Sequence, residues 1–89
     1  MKNLSKKDVE IKLSGLAEKF LDKCEKELYN RISQKIEKLS LNPFPSDTVK
    51  LAGFDKIFRI RVGDYRILYK IDFSELIIIK IDKRGRVYK

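Results

Sequence analysis

The chain has 89 residues, and 21 lysine and arginine side chains against 13 aspartate and glutamate side chains give a formal net charge of +8. That length fits one domain, and a hydrophobic content of 43% excludes a disordered tail. One cysteine and no histidine exclude an internal disulfide, a zinc site and a histidine-based catalytic dyad. No apolar run is long enough to span a membrane, and no signal peptide pattern is present. We therefore expect one basic, cytoplasmic domain over residues 1–89, without a metal, another cofactor or a membrane partner.

The first half of the chain has the pattern of a strand followed by helices. Residues 1–8 are polar and expected to be frayed, and residues 9–13 alternate between apolar and charged as in a short strand. Ser14 can cap the helix that follows, and apolar residues recur at helical spacing up to about Leu41. One rod over residues 15–41 would be about 40 Å long, against a diameter of ~30 Å for a compact chain of this size. We therefore predict two antiparallel helices separated by a break near residues 24–26.

The second half has the period of strands. Residues 49–51 form a possible short strand, and residues 56–62 and 65–71 alternate on either side of Gly63 and Asp64, which indicates a β-hairpin. Residues 76–81 are nearly all apolar and are predicted to form the central strand. The predicted fold class is α+β: strand, helix, helix, then three or four strands. Both helices are expected on one face of a small, mostly antiparallel twisted sheet.

Positive charge is concentrated in the second half. Residues 1–48 contain 10 basic and 8 acidic side chains, whereas residues 49–89 contain 11 and 5. Because side chains alternate along a strand, the apolar face of the sheet should include Ile77, Ile79 and Ile81. The opposite face should then collect a basic cluster of Arg59, Arg61, Arg66, Lys80 and Arg84.

Two interpretations of this basic face follow from the residues alone. Like charges that crowd together destabilise a protein unless a partner relieves them, and arginine is well suited to binding phosphate oxygens. This favours a surface that binds a polyanion such as nucleic acid. The alternative is a solvated sheet face whose arginines form local ion pairs with Asp55, Asp64 and Asp82.

Two segments resemble a known family. Residues 51–72, LAGFDKIFRIRVGDYRILYKID, resemble the central signature of the RelE/ParE toxin superfamily, with a glycine, basic residues on a strand, a glycine turn and a Tyr-Arg pair. Residues 81–89, IDKRGRVYK, resemble its closing pattern, in which an arginine precedes a Val-Tyr pair. The resemblance implies a RelE-like fold and a toxin of a type II toxin–antitoxin pair. It also implies a hetero-oligomer with a RelB-like antitoxin.

The same resemblance implies an activity and its residues. Members of the RelE branch cleave mRNA in the ribosomal A site, so the ribosome and mRNA are expected partners. The family's catalytic positions correspond here to Arg59, Arg61, Arg66, Arg84 and Tyr88. Many relatives have a histidine where Lys83 stands, and Lys83, crowded by arginines, is one candidate for the general base, which the resemblance does not identify. General contacts to RNA are predicted for Lys50, Lys56, Lys80, Lys83 and Arg86.

Two other functions remain open at this point. A ParE-like toxin would have the same fold, would bind DNA gyrase, and would need none of the arginines for toxicity. A basic RNA-binding module would bind RNA in a salt-dependent way without cleaving it. A ribosome-dependent endoribonuclease is favoured over the ParE-like toxin because arginine fills all four of the basic catalytic positions.

Overall fold

The computed structural model describes residues 9–83. A strand comes first, two helices follow, and four strands complete the sheet. The elements are β1 (Glu10–Leu13), α1 (Gly15–Lys23), α2 (Lys26–Leu41), β2 (Val49–Lys50), β3 (Phe58–Val62), β4 (Tyr65–Asp72) and β5 (Glu75–Lys83). This order confirms the predicted α+β class. Neither helix within residues 9–83 has the length and apolar character needed to cross a membrane.

The two helices begin and end where the sequence predicts. The side chain of Ser14 accepts a hydrogen bond from the backbone N–H of Ala17 at 3.0 Å, as expected of an N-cap. Cys24 and Glu25 both have extended backbone, so they separate α1 from α2. A continuous helix would have carried its apolar stripe beyond the small sheet, and the break allows both stripes to face it.

The five strands lie in the order β1-β5-β4-β3-β2. β1 pairs with β5 in parallel, and the other three pairings are antiparallel. The middle position therefore belongs to β4, whereas β5, the predicted central strand, lies between β1 and β4. The β3–β4 hairpin turns at Gly63 and Asp64, with Gly63 at a φ of +60° that favours glycine.

A single hydrophobic core joins the helices to one face of the sheet. Helix α1 contributes Ala17 and Leu21, and α2 contributes three apolar residues one turn apart. The strands supply the remaining buried side chains: Ile60, Val62, Ile67, Tyr69, Leu76, Ile78 and Ile81. We call this side the helix face and the opposite side the outer face.

The predicted faces of β5 are wrong for its first part. Leu68 pairs with Lys80 but Tyr69 pairs with Ile78, so Ile79 is an extra residue in β5. Such a β-bulge reverses the alternation of side chains. Leu76 and Ile78 are therefore fully buried on the helix face, where Ile77 and Ile79 were expected. Beyond the bulge, Ile81 lies in the core as predicted.

Candidate functional site

Three arginines lie together on the outer face. Arg59 and Arg61 alternate along β3 with the buried residues Ile60 and Val62, so their side chains point away from the helices. Arg66 lies directly opposite Arg61 on the neighbouring strand. Residues two apart on one strand are about 7 Å apart, so the three guanidinium groups occupy a small area. The structure thus brings together three of the five predicted catalytic positions.

A carboxylate on β5 orients one of these arginines. The Nε atom of Arg66 donates a hydrogen bond to Oδ1 of Asp82 at 2.8 Å, and both side chains are largely covered. Lys80 lies 3.6 Å from the other oxygen of Asp82. Asp82 partly offsets the repulsion between Arg61 and Arg66, which face each other across the strands. Of the three local ion pairs that the alternative interpretation predicts, the one with Asp82 is present. Asp55 and Asp64 form no ion pair within residues 9–83.

Arg59 and Arg61 have no ion pair within the part of the chain that the structure describes. They line a cleft of about 260 Å³ together with Asp47 and Val49, between β3 and the edge of the sheet. We call it the arginine cleft. Asp47 was absent from the sequence-based candidates, because a single aspartate between Ser46 and Thr48 reads only as part of a turn. Its Oδ2 atom lies 3.4 Å from Nζ of Lys35 on α2.

Tyr69 holds the edge of the arginine cleft in place. Its hydroxyl donates to the carbonyl oxygen of Pro43 at 2.7 Å and shares a hydrogen bond with Oγ1 of Thr48 at 2.5 Å. Thr48 follows Asp47 and precedes β2, so these bonds fix the segment that closes the cleft. Burial is the main cause that raises the pKa of the Tyr69 phenol above its usual value. Tyr69 therefore acts as a structural residue.

The remaining predicted site residues are spread over several places. Lys80 lies on the outer face with Asp82, while Lys56 is exposed in the loop before β3. Lys50 pairs with Phe58, which places it on the helix-face side of β2. The Nζ atom of Lys83 lies 5.8 Å from the ring centroid of Tyr65, on the side of the sheet opposite Asp82. Three further predicted residues lie outside the described ones: Arg84, Arg86 and Tyr88.

Comparison with known families identifies the family of the chain. The family model described as "ParE toxin of type II toxin-antitoxin system, parDE" matches residues 11–88 of the chain. The chain belongs to the RelE/ParE family of type II toxin–antitoxin toxins. Within this family, the RelE1 protein of Methanocaldococcus jannaschii is 36% identical over 64 residues, which are 66% of this chain and 71% of that protein.

Solved structures of this toxin family show the same fold. RelE in the archaeal RelE-RelB complex from Pyrococcus horikoshii OT3 is 29% identical, with a TM-score of 0.77 over 89% of this chain and 98% of that one. The RelB-RelE antitoxin-toxin complex from Methanococcus jannaschii gives 27% identity and a TM-score of 0.70, covering 88% and 95%. The isolated RelE toxin of E. coli is 20% identical, with a TM-score of 0.76 over 90% of both chains. The predicted RelE-like fold is thereby confirmed.

Proposed function

We propose that this toxin acts in the cytoplasm as a ribosome-dependent endoribonuclease. It cleaves mRNA in the ribosomal A site. The observation that supports this best is the gathering of Arg59, Arg61 and Arg66 on the outer face, where Arg59 and Arg61 have no ion pair within residues 9–83. Like charges gathered in this way repel one another, which favours binding of an anionic partner.

The reaction that fits these residues is an attack by the ribose 2′-OH on the adjacent phosphorus. The 2′ oxygen forms a bond to phosphorus as the bond to the 5′ oxygen breaks, which leaves a 2′,3′-cyclic phosphate and a 5′-OH end. Arg59, Arg61 and Arg66 stabilise the extra negative charge of the phosphorane by bidentate hydrogen bonds. From the family pattern we assign Arg84 to the same task, and Tyr88 to stacking on a base or to protonating the leaving oxygen.

The proton of the 2′-OH needs an acceptor, and guanidinium groups stay protonated at neutral pH. The position of Asp47 in the arginine cleft supports it as this base, whereas Lys83 lies beside Tyr65. The substitution Asp47→Asn should then lower kcat with little effect on KM. Lys83→Gln should instead raise KM, as expected of a general RNA contact. If Lys83→Gln abolishes kcat and Asp47→Asn does not, Lys83 is the base.

The proposed site depends on the ribosome for precise positioning of the RNA. An exposed sheet face has few groups that would hold a flexible strand with its 2′-OH in line with the scissile bond. Correct orientation can contribute several kcal/mol to a reaction of this kind. The toxin should therefore cleave mRNA on the ribosome far faster than it cleaves the same RNA in solution.

A RelB-like antitoxin is the proposed inhibitor, in a hetero-oligomer with the toxin. Two of the solved structures described above are complexes of RelE with RelB. A groove of about 580 Å³ supports such a partner, because it combines apolar residues such as Leu16, Phe20 and Leu28 with three lysines. It lies where β1 has ended and β5 continues without a neighbour on that side within residues 9–83. An acidic antitoxin segment with apolar anchors fits this groove.

Two exposed leucines offer a test of that groove. Leu16 of α1 lines the groove and is 63% exposed. Leu41, at the C-terminal end of α2, is 66% exposed and does not line the groove. Leu16→Glu should weaken antitoxin binding strongly in a titration of the purified partners, and Leu41→Glu should not. Equal affinities for the two variants would remove this groove from the interface.

The cleavage reaction is tested on ribosomes programmed with a defined message and with an empty A site. The purified toxin should cut the message there, leave a 2′,3′-cyclic phosphate, and leave naked RNA nearly intact. Lys26→Ala, which removes an exposed lysine at the start of α2, should cut as well as the unmodified protein. Growth arrest on expression without any cut would contradict the endoribonuclease.

A gyrase-poisoning toxin is the second candidate, because the matching family model carries the ParE name. In that case the arginine face would be dispensable for growth arrest. The purified toxin would then inhibit supercoiling by DNA gyrase, and a variant with Arg59, Arg61 and Arg66 changed to glutamine would still do so.

A further inference from the structure

A second basic cleft lies beside the arginine cleft, between α2 and the turn of the β3–β4 hairpin. Its volume is about 330 Å³. Four of the side chains that line it are cationic, and three of these recur along one face of α2 at the spacing of a helical turn. We call it the helix cleft, and it is lined by Arg31, Gln34, Lys35, Lys38, Arg61, Val62 and Gly63.

Arg31 reaches from the helix to the hairpin turn. Its Nη2 atom occupies the space above Gly63, where a Cβ would lie only 2.5 Å from it. Gly63 therefore serves two purposes, because it adopts a positive φ and leaves room for this guanidinium. The only arginine in the first half of the chain is thus placed near Arg61, in the same cleft.

The charge of the helix cleft is poorly balanced. Lys35 is paired with Asp47, while Arg31, Lys38 and Arg61 have no ion pair within residues 9–83. Arg31 and Lys38 therefore bring positive charge without an ion pair in those residues to one small cleft, and Arg61 adds a third cationic residue at its edge. Repulsion of this kind costs stability unless a ligand of opposite charge relieves it.

The helix cleft adjoins the arginine cleft and shares one lining residue with it. Arg61 lines both of them, and the ion pair between Lys35 and Asp47 connects their rims. Cations therefore extend from the outer face around the edge of β3 to α2. A row of separate cations suits the repeated phosphates of one strand better than a single compact anion.

We propose that the helix cleft binds backbone phosphates of the RNA strand whose scissile phosphate lies in the arginine cleft. This inference rests on the proposed function, because it assumes that the ligand of the arginine cleft is RNA. The ligand class is the sugar-phosphate backbone of single-stranded RNA, without preference for a base. Arg31 and Lys38 hold it by charge-assisted hydrogen bonds to phosphate oxygens.

The test compares two variants that lose equal charge. Arg31→Gln with Lys38→Gln changes the helix cleft, while Lys12→Gln with Lys26→Gln changes exposed lysines of β1 and α2 outside it. Binding of a fluorescein-labelled oligouridine is measured over a series of salt concentrations. Each phosphate contact to a single strand contributes about 0.7 to the slope of log K against log salt. For the cleft variant, the magnitude of that slope should fall by about 1.4, and the affinity at low salt should fall roughly tenfold or more. The control variant should keep both the slope and the affinity of the unmodified protein.

Three outcomes would overturn the proposal. One is an equal slope for the cleft variant and the control, and another is no measurable RNA binding by the unmodified protein. The third is an unchanged RNA slope with weaker binding of polyglutamate, which would assign the cleft to an acidic protein segment. Lys38→Glu alone serves as a second variant, since Lys38 is exposed on α2 and its change should not affect folding.

Cleavage on ribosomes separates this inference from the proposed function. The cleft variant should raise KM and keep kcat, because its residues hold the strand away from the reacting atoms. If the unmodified toxin does not cleave but the difference in salt slope persists, the endoribonuclease fails and the RNA cleft stands. If the toxin cleaves and the slopes are equal, only the cleft proposal fails.

Discussion

The two faces of the sheet are built from the same strands, but one carries buried apolar side chains and the other carries clustered arginines. On β3 and β4, Ile60, Ile67 and Tyr69 are at most 1% exposed and pack under the helices. The residues between them include Arg59, Arg61 and Arg66, which gather positive charge on the outer face. The helix face is explained by burial of apolar surface. The outer face gathers like charges that repel one another, and this makes it the more informative of the two about function.

The largest expected effect is on catalysis. Arg66→Ala should lower the rate of cleavage on ribosomes by about 10²–10³-fold, as when one charge-stabilising donor is lost from an active site. Arg66→Lys should recover only part of it, because lysine lacks the planar fork that pairs with phosphate and the Nε–H that donates to Asp82. Single-turnover rates at saturating ribosome concentration measure both variants. A rate for Arg66→Ala equal to that of the unmodified protein would show that the outer face is not the site.

The residue next in sequence should behave in the opposite way. Ile67→Ala removes a fully buried side chain at the centre of the helix face. It should lower the free energy of unfolding by about 2–5 kcal/mol, through lost transfer energy and the cavity left behind. Denaturant unfolding followed by circular dichroism measures this loss. A loss below ~1 kcal/mol would mean that the core is not packed as described.

Tyr69→Phe tests how much a buried polar group contributes to the stability of the helix face. The change keeps the ring and removes the hydrogen bonds to Pro43 and Thr48, so it should cost about 1–2 kcal/mol. Burial raises the folded-state pKa of this phenol above the unfolded value of about 10, so its contribution is complete below that pH. The contribution is lost as the pH rises through the folded-state pKa. Urea unfolding between neutral and alkaline pH should show this loss in the unmodified protein and not in Tyr69→Phe.

The smallest expected effect is on stability when outer-face charge is removed. Arg61→Gln takes away the cation directly opposite Arg66 and should leave the free energy of unfolding unchanged or raise it by about 0.5 kcal/mol. Thermal unfolding in low salt measures the change, and added salt should reduce it by screening the repulsion. Destabilisation by more than ~1 kcal/mol would show that Arg61 has a structural partner.

Most of the fold was predictable because local patterns and global packing agree. The break between the helices followed from the length of the helical segment alone. Ser14 is a residue type that caps helices, and Gly63 is one that adopts the positive φ of a turn. The bulge at Ile79 was not predictable, because residues 76–79 are apolar at every position and no alternation reveals which side faces the core. Packing against the helices determines which of these residues are buried.

The candidate site was predictable only in part for a related reason. Arg59, Arg61 and Arg66 share a face through strand alternation, which a sequence displays directly. Asp47 enters the arginine cleft only because Tyr69 and Thr48 fix its loop, and Arg31 reaches Gly63 from a helix distant in sequence. Such contacts depend on how elements meet and leave no periodic signal.

One measurement separates a functional outer face from a structural one. The variant with Arg59→Gln and Arg61→Gln should be compared with the unmodified toxin for both its melting temperature and its cleavage of mRNA on programmed ribosomes. We expect the melting temperature to be held or raised and cleavage to be lost by at least 10²-fold. Retained cleavage, or a fall in melting temperature that accompanies the loss, would contradict the view that these arginines serve RNA cleavage.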